Sequence, residues 1–500
     1  MLASGFIILQ WAASTVAITV PSEIPAGWDN TTIKISFAER TALARDALEQ
    51  AYGQMLNSKA GMTESAIYSE MAEFDLLTRQ TLFKDRLISK LNRTQDNGDT
   101  FLSKKSYGYV ALRAYAAYEE DFFLEKAQEA WDWSAKYTLN SNGLQNTTRN
   151  LSIPRSCSNH NLTGGTFNTA NDINGSVLGQ ATLWSFLTSS LFAESLMTNQ
   201  TYFDLAQQTY LLIRNQFVTD DFTVQGGIDV KTCNGTNNIV PMNSGLTIEG
   251  ATALSILQPS NSFNESLINL VSGAISKAEW HFGNGILRSG GYQGAGSMVR
   301  ALAIWHKTAS ASALQKVVEG YISIQYNAVL GKAKDPQGNI YGSSWIGPSS
   351  RDYQADAQAS AISVLLAGIR LGDSNGKALT NSASSPTKLS VGAIVGVVLG
   401  SVFGTVCLAM LVSYIRQRQV RRTMALMPGP FLVGLHQVNE SRSCDRGVDQ
   451  SKRAGHPNEE MERLSGAMNQ IIALLRQRTD LEHSAQSTDR PPSYSEHRYC

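Results

Sequence analysis

Two pairs of aspartates stand close enough along the chain to share acid–base work. Asp220 and Asp221 form the only adjacent aspartate pair before residue 370, and Asp96 and Asp99 flank an Asn-Gly step. Two carboxyl groups held in different protonation states can serve as acid and base to one substrate. The blander reading is that Asp96 and Asp99 belong to a solvated turn, and that Asp220-Asp221, near a Gly-Gly turn, cap the element that follows. The seven histidines are scattered and the cysteines show no metal-ligand spacing, so neither a metal nor an organic cofactor is implied. Cys157 and Cys233 are the two cysteines of the N-terminal part; an even pair in an oxidising compartment suggests one disulfide, with two unpaired buried thiols as the alternative.

The oxidising compartment is itself read from the ends of the chain. Phe6 to Val20 is an apolar stretch too short to cross a bilayer, followed through by small residues at Thr15-Val16-Ala17, and it reads as a signal peptide over residues 1–17. Leu389 to Ile415 has no charged residue and is long enough to cross a hydrocarbon layer about 30 Å thick. Arg416, Arg418, Arg421 and Arg422 follow at once. Basic residues of this kind stay cytoplasmic, which predicts a type I protein of the plasma membrane or a secretory-pathway membrane, its N-terminal side outside the cytosol. Sequons at Asn30, Asn92, Asn146, Asn150, Asn161, Asn174, Asn199, Asn234 and Asn264 all precede the span and fit N-glycosylation there; the one at Asn439 in the tail is a chance match.

Between residues 21 and 370 apolar positions recur every three or four residues, which predicts an almost wholly α-helical ectodomain. Gly164-Gly165, Gly226-Gly227 and Gly290-Gly291 interrupt the helices where the chain reverses. Tyr115 to Tyr137 and Phe192 to Phe217 each read as a helix, a polar break and a second helix. In the second helices Phe123, Ala127 and Trp131 correspond to Tyr202, Ala206 and Tyr210. Such hairpins need neighbours to cover their apolar faces, so they stack into a solenoid or close into a ring.

Residues 371–388 turn to Asn, Ser, Ala and Gly and read as a flexible stalk. Within the span 389–415, Gly392, Gly396, Gly400 and Gly404 share one face, a pattern that suits a homodimer of transmembrane helices. The tail 416–500 is polar and largely disordered by composition, apart from an amphipathic helix over about 457–482. Near its end Pro491, Pro492 and Tyr494 form a PPxY element suited to a WW-domain partner. With 42 basic and 42 acidic residues and no clustered positive excess in the folded part, a nucleic-acid partner is excluded.

Several segments, in order over some three-fifths of the chain, resemble glycoside hydrolase family 76, the α-1,6-mannanase-like family, and the layout is similar to its membrane-anchored fungal branch. Tyr107-Gly108-Tyr109-Val110-Ala111-Leu112 is similar to the aromatic helix start of that family, and Gly164-Gly165-Thr166-Phe167 to its Gly-Gly-aromatic loop. Met242-Asn243-Ser244-Gly245 resembles its Tyr-Asn-Gln-Gly turn, and Ser297 to Trp305, with Arg300, its late arginine-bearing helix. The resemblance implies an (α/α)6 toroid whose cleft holds a mannan-type glycan. Tyr107, Tyr109, Phe167, Asn243, Trp280 and Trp345 would contact the sugar, the aromatics by stacking.

One departure bears on chemistry. The family places two adjacent aspartates just before the aromatic helix start, where this chain reads Thr100-Phe101-Leu102-Ser103-Lys104-Lys105-Ser106. Hydrolysis of a glycosidic bond ordinarily needs one carboxylic acid and one carboxylate. Serine and lysine supply neither, which leaves Asp96 and Asp99, slightly upstream, as the catalytic candidates. Two functions therefore stay open: hydrolysis or transfer of α-1,6-mannan at the cell surface, or a non-catalytic glycan receptor or wall sensor that signals through its tail.

Overall fold

The structure, a computed structural model, describes residues 20–56, 61–93, 101–140, 143–144, 156–157, 160–169, 175–196, 199–288, 294–309 and 313–372. The signal peptide, stalk, span and tail predicted above lie outside these residues, as do Asp96, Asp99, Asn146, Asn150 and Asn174. Among the described residues no helix is long and apolar enough to cross a membrane.

The described part is mostly helical, and its helices fall into two kinds. Helices α2 (Gly61–Thr78), α4 (Phe101–Tyr118), α6 (Gln180–Ser195), α8 (Pro241–Leu257), α10 (Ala295–Thr308) and α12 (Ala355–Leu371) pack each against the next, and α12 packs back against α2. This closes a ring. Helices α1 (Phe37–Met55), α3 (Lys84–Arg93), α5 (Asp121–Ala135), α7 (Gln200–Gln216), α9 (Asn261–Ser276) and α11 (Ala313–Ala328) lie outside it, against the ring helices next to them in sequence. The architecture is the (α/α)6 toroid that the resemblance implied.

Sequence explains the division. A helix buried on all sides cannot carry a polar face, and in α6, α8 and α12 almost every residue from the second turn onward is buried, with Ala, Ser, Thr and Gly between the larger side chains. The outer helices bury one stripe. In α5 that stripe includes Phe123 and Ala127, and in α7 Tyr202, Ala206 and Tyr210, so the repeated pattern is the inner face of two successive outer helices. Its aromatics stack inward: Tyr202 lies 4.6 Å from Phe192 of α6 and 4.8 Å from Trp131 of α5. Outer helices also start with their own caps. Ser36 accepts from the Glu39 amide at 3.2 Å, Asn199 from Thr201 at 3.0 Å and Ser260 from Phe263 at 3.3 Å, which satisfies amide donors that the first turn leaves open.

Between the helices run short antiparallel strands. Val177–Gly179 pairs with Gly227–Asp229 in a register that sets Gly179 opposite Gly227, and Asn234–Gly235 adds the third strand. Gly227 holds φ 141°, and a side chain there would run into the Leu178 carbonyl, so the Gly226-Gly227 joint needs glycine twice over. Cys157 and Cys233 form a disulfide with Cα atoms 5.4 Å apart, tying the loop before α6 to the loop after the second strand.

Small residues set how tightly the ring closes. A Cβ on Gly245 of α8 would sit 2.8 Å from the Met298 amide nitrogen of α10, and one on Gly296 of α10 would strike the Ser360 backbone of α12. Gly296→Ala therefore forces α10 and α12 apart. It should destabilise the protein by about 1–3 kcal/mol in urea denaturation; an unchanged midpoint would mean that the ring does not close at this crossing.

Candidate functional site

All six ring helices run in the same direction, so their N-terminal turns meet at one end of the ring. The N-terminal halves surround a cavity of about 300 Å3, at the small end of the roughly 300–1,000 Å3 typical of small-molecule sites. Its wall is rich in hydroxyls: Thr63, Ser65 and Ser69 from α2, Ser106 from α4, Ser297 from α10, and Ser360 and Ser363 from α12. Tyr109 of α4 and Trp184 of α6 supply the aromatic surface, with ring centroids 5.7 Å apart.

The floor of this cavity is a buried ion network. Arg300 of α10 donates through Nη1 to Glu70 Oε1 of α2 at 2.8 Å and through Nε to Glu249 Oε2 of α8 at 3.2 Å. Tyr109 donates its hydroxyl to the other Glu249 oxygen at 2.6 Å, and Ser363 donates to Glu70 Oε1. One turn further along α2, Glu73 accepts from Arg113 of α4 with one oxygen and from Arg370 of α12 with the other. Glu70, Glu73, Glu249, Arg113 and Arg300 are all buried. Burial pushes the Tyr109 phenol well above its ordinary range, with Glu249 adding to the shift and Arg300 opposing it. For Arg300 burial acts to lower the guanidinium, but Tyr109, Glu249 and Glu70 outweigh it and hold the group firmly charged. Arg113, which burial lowers and Arg370 lowers further, comes down to about 10.

The helix expected to start at Tyr107 begins earlier, at Phe101, so the positions just before Tyr107 are part of α4, and they carry no carboxylate. Lys105 is buried and donates to Ser134 of α5 and, at 2.8 Å, to Ser185 of α6; Ser106 bonds to Ser65 across the cavity wall at 2.7 Å. Burial holds the Lys105 amine well below its ordinary range. Two carboxylates do line the cavity. Glu70 has Oε1 engaged by two donors, and Asp356, at the start of α12, accepts from Thr63. Glu70 Oε2 and Trp184 Nε1 are buried without a hydrogen-bond partner among the described residues. An acceptor and a donor of this kind can be satisfied by the hydroxyls of a neutral sugar.

Of the six residues expected to contact sugar, Tyr109 lines this cavity. Tyr107, two positions back along the helix, is buried on the outer side, where it donates to Glu64 at 3.2 Å under the Lys90 ammonium. Phe167, Trp280 and Trp345 are core side chains. Asn243 is buried and donates to the Asn238 carbonyl at 2.9 Å, holding the loop that leads into α8. Asp221 stands in a turn away from the cavity. Burial would raise its carboxyl, but hydrogen bonds from Lys277, Thr219 and Thr223 dominate and hold it well below the usual range. Asn30, Asn92, Asn161, Asn199, Asn234 and Asn264 are exposed. Among the described residues no cluster of His, Cys, Asp and Glu could hold a metal ion.

Replacing Arg300 with methionine would leave Glu70 and Glu249 buried without their countercharge. We expect Arg300→Met to cost about 3–5 kcal/mol in chemical denaturation. A loss below about 1 kcal/mol would show that the network does not hold the ring together.

The sequence matches no protein-family model and no curated protein. Its structure, by contrast, superposes on solved structures of family 76. An α-1,6-mannanase of a Salegentibacter species, in a form inactivated at two consecutive aspartates and bound to α-1,6-mannotetrose, matches at 14% identity with a TM-score of 0.56, over 66% of this chain and 99% of that one. The α-mannanase BT2949 of Bacteroides thetaiotaomicron matches at 12% identity and 0.53, over 67% and 96%. Dfg5 from Chaetomium thermophilum, in complex with glucosamine, matches at 14% and 0.53, over 68% and 92%. The chain therefore has the fold of the family 76 glycoside hydrolases.

Proposed function

We propose that this family 76-like domain is a cell-surface glycan receptor that binds α-1,6-linked mannan at the N-terminal end of its helical ring and does not cleave it. One observation carries the reading. The two positions directly before Tyr107 hold a buried lysine bonded to serines and a serine bonded to Ser65, and the nearest carboxylates are engaged by Arg300, Ser363 and Thr63. The Salegentibacter enzyme is inactivated by replacing two consecutive aspartates, and it still holds a mannotetrose. A site without the carboxylate pair keeps what binding needs, namely hydroxyl partners and aromatic faces.

The wall suits a neutral polyol. Ser69, Ser297 and Ser360 can donate or accept as each sugar hydroxyl requires, while Tyr109 and Trp184 offer apolar surface to the C–H face of a pyranose. On this reading the sequons carry glycans on the exposed face of the ectodomain, residues 389–415 hold it in a membrane, and the PPxY element passes the signal to a WW-domain partner in the cytosol.

The test is calorimetric titration of α-1,6-mannotetraose into the full-length chain in detergent, beside Trp184→Ala and Ser297→Val. We expect saturable binding that Trp184→Ala weakens about tenfold, close to 1.4 kcal/mol. No binding to α-1,6-mannan fragments, or an affinity that both substitutions leave unchanged, would overturn the proposal.

A further inference from the structure

The same six helices form a second cavity at the opposite end of the ring, and the glycan reading makes no use of it. It measures about 330 Å3 and lies among the C-terminal turns of α2, α4, α6, α8, α10 and α12. Arg113, Arg370 and Lys307 line it, together with Glu194 and Glu249.

Positive groups here are short of acceptors. Arg113 and Arg370 share one carboxylate, Glu73, and Glu249 has both oxygens taken by Tyr109 and Arg300. Arg113 is 8% exposed, and its Nε is buried without a hydrogen-bond partner among the described residues. Lys307 is exposed at the rim. Guanidinium groups present parallel N–H donors that match the two oxygens of a carboxylate or phosphate, and an ammonium adds charge without demanding a fixed direction. We propose that this cavity is a binding site for a small oxyanion, a carboxylate or a phosphate group, held by Arg113, Arg370 and Lys307.

Glu194 makes the site respond to pH. Five charged groups surround it or its cavity: Glu73 from α2, Arg113 from α4, Glu249 from α8, Lys307 from α10 and Arg370 from α12. Burial pushes the Glu194 carboxyl up and Glu249 adds to this, while Arg113 and Arg370 pull it down; the net shift is upward. An ionised Glu194 repels the entering anion, whereas the protonated acid can donate to it. Affinity therefore rises as pH falls through the Glu194 titration.

Calorimetry on the full-length chain in detergent tests this with inorganic phosphate, glucuronate and, as the neutral control, glucose, at about pH 7.5 and about pH 5. Saturable binding of phosphate, of glucuronate or of both, but not of glucose, is the supporting result, and which anion binds identifies the group. Lys307→Met should weaken it about tenfold, and Glu194→Gln should remove the pH dependence of glucuronate binding, the probe whose own charge is constant over this range, while keeping the affinity seen at the lower pH. Neither side chain makes one of the hydrogen bonds of the ion network, and a thermal unfolding transition in each variant checks that it folds. Absence of binding by either anion, or binding that neither substitution changes, would overturn the assignment.

Discussion

Arg300 is the residue on which the ring depends. It reaches from α10 to Glu70 on α2 and Glu249 on α8, and Glu249 in turn receives Tyr109 of α4. Four of the six ring helices thus meet through one guanidinium and two carboxylates, and Ser363 brings in α12. Burying such charges is costly, and a purely apolar centre could be as stable. What ions add is direction: each helix must present its charged residue at one height and one rotation for the pairs to form. A slip of a single residue in α2, α8 or α10 would strand a buried charge.

That centre also divides the ring. Arg300, Glu70 and Tyr109 form the floor of the N-terminal cavity, while Glu249, Arg113 and Arg370 face the C-terminal one. Two cavities on one axis therefore differ in character. The first is walled by serines, threonines, a tyrosine and a tryptophan and suits an uncharged, hydroxyl-rich ligand. The second holds two arginines that share a carboxylate. Cleavage of a glycosidic bond ordinarily needs one carboxylic acid and one carboxylate; among the described residues Glu249 and Glu73 have both oxygens, and Glu70 one, engaged in holding the ring.

The helical hairpins were legible in the sequence because helical spacing and the Phe123, Ala127, Trp131 and Tyr202, Ala206, Tyr210 stripes record which side of an outer helix faces inward; the stripes left a solenoid or a ring open, and the ring was implied by the family resemblance. Of the individual residues of the cavity, Tyr109 was legible. Tyr107 and Tyr109 look equivalent as letters, yet two positions on a helix differ by about 200° of rotation, so one meets the cavity and the other turns outward. Phe167, Trp280 and Trp345 are aromatic because the core needs bulk there. Trp184 went unseen because it sits within a run of apolar residues that reads as core throughout. A usable signal was present in the isolated charges: Glu249 is the one charged residue of α8, and Arg113 the one charged residue in the last three turns of α4. A single charge inside an otherwise uncharged buried helix needs a partner on a neighbour, and these residues find theirs across the axis.

The central claim, that the fold has been kept and the cleavage chemistry has not, is tested most directly by following reducing-end release from α-1,6-mannan by the full-length chain, with Asp96→Ala and Asp99→Ala proteins alongside. The account predicts no release above the enzyme-free rate from any of the three. Turnover by the natural sequence that either substitution abolishes would contradict it and make the protein a hydrolase whose acid pair lies upstream of the helix start.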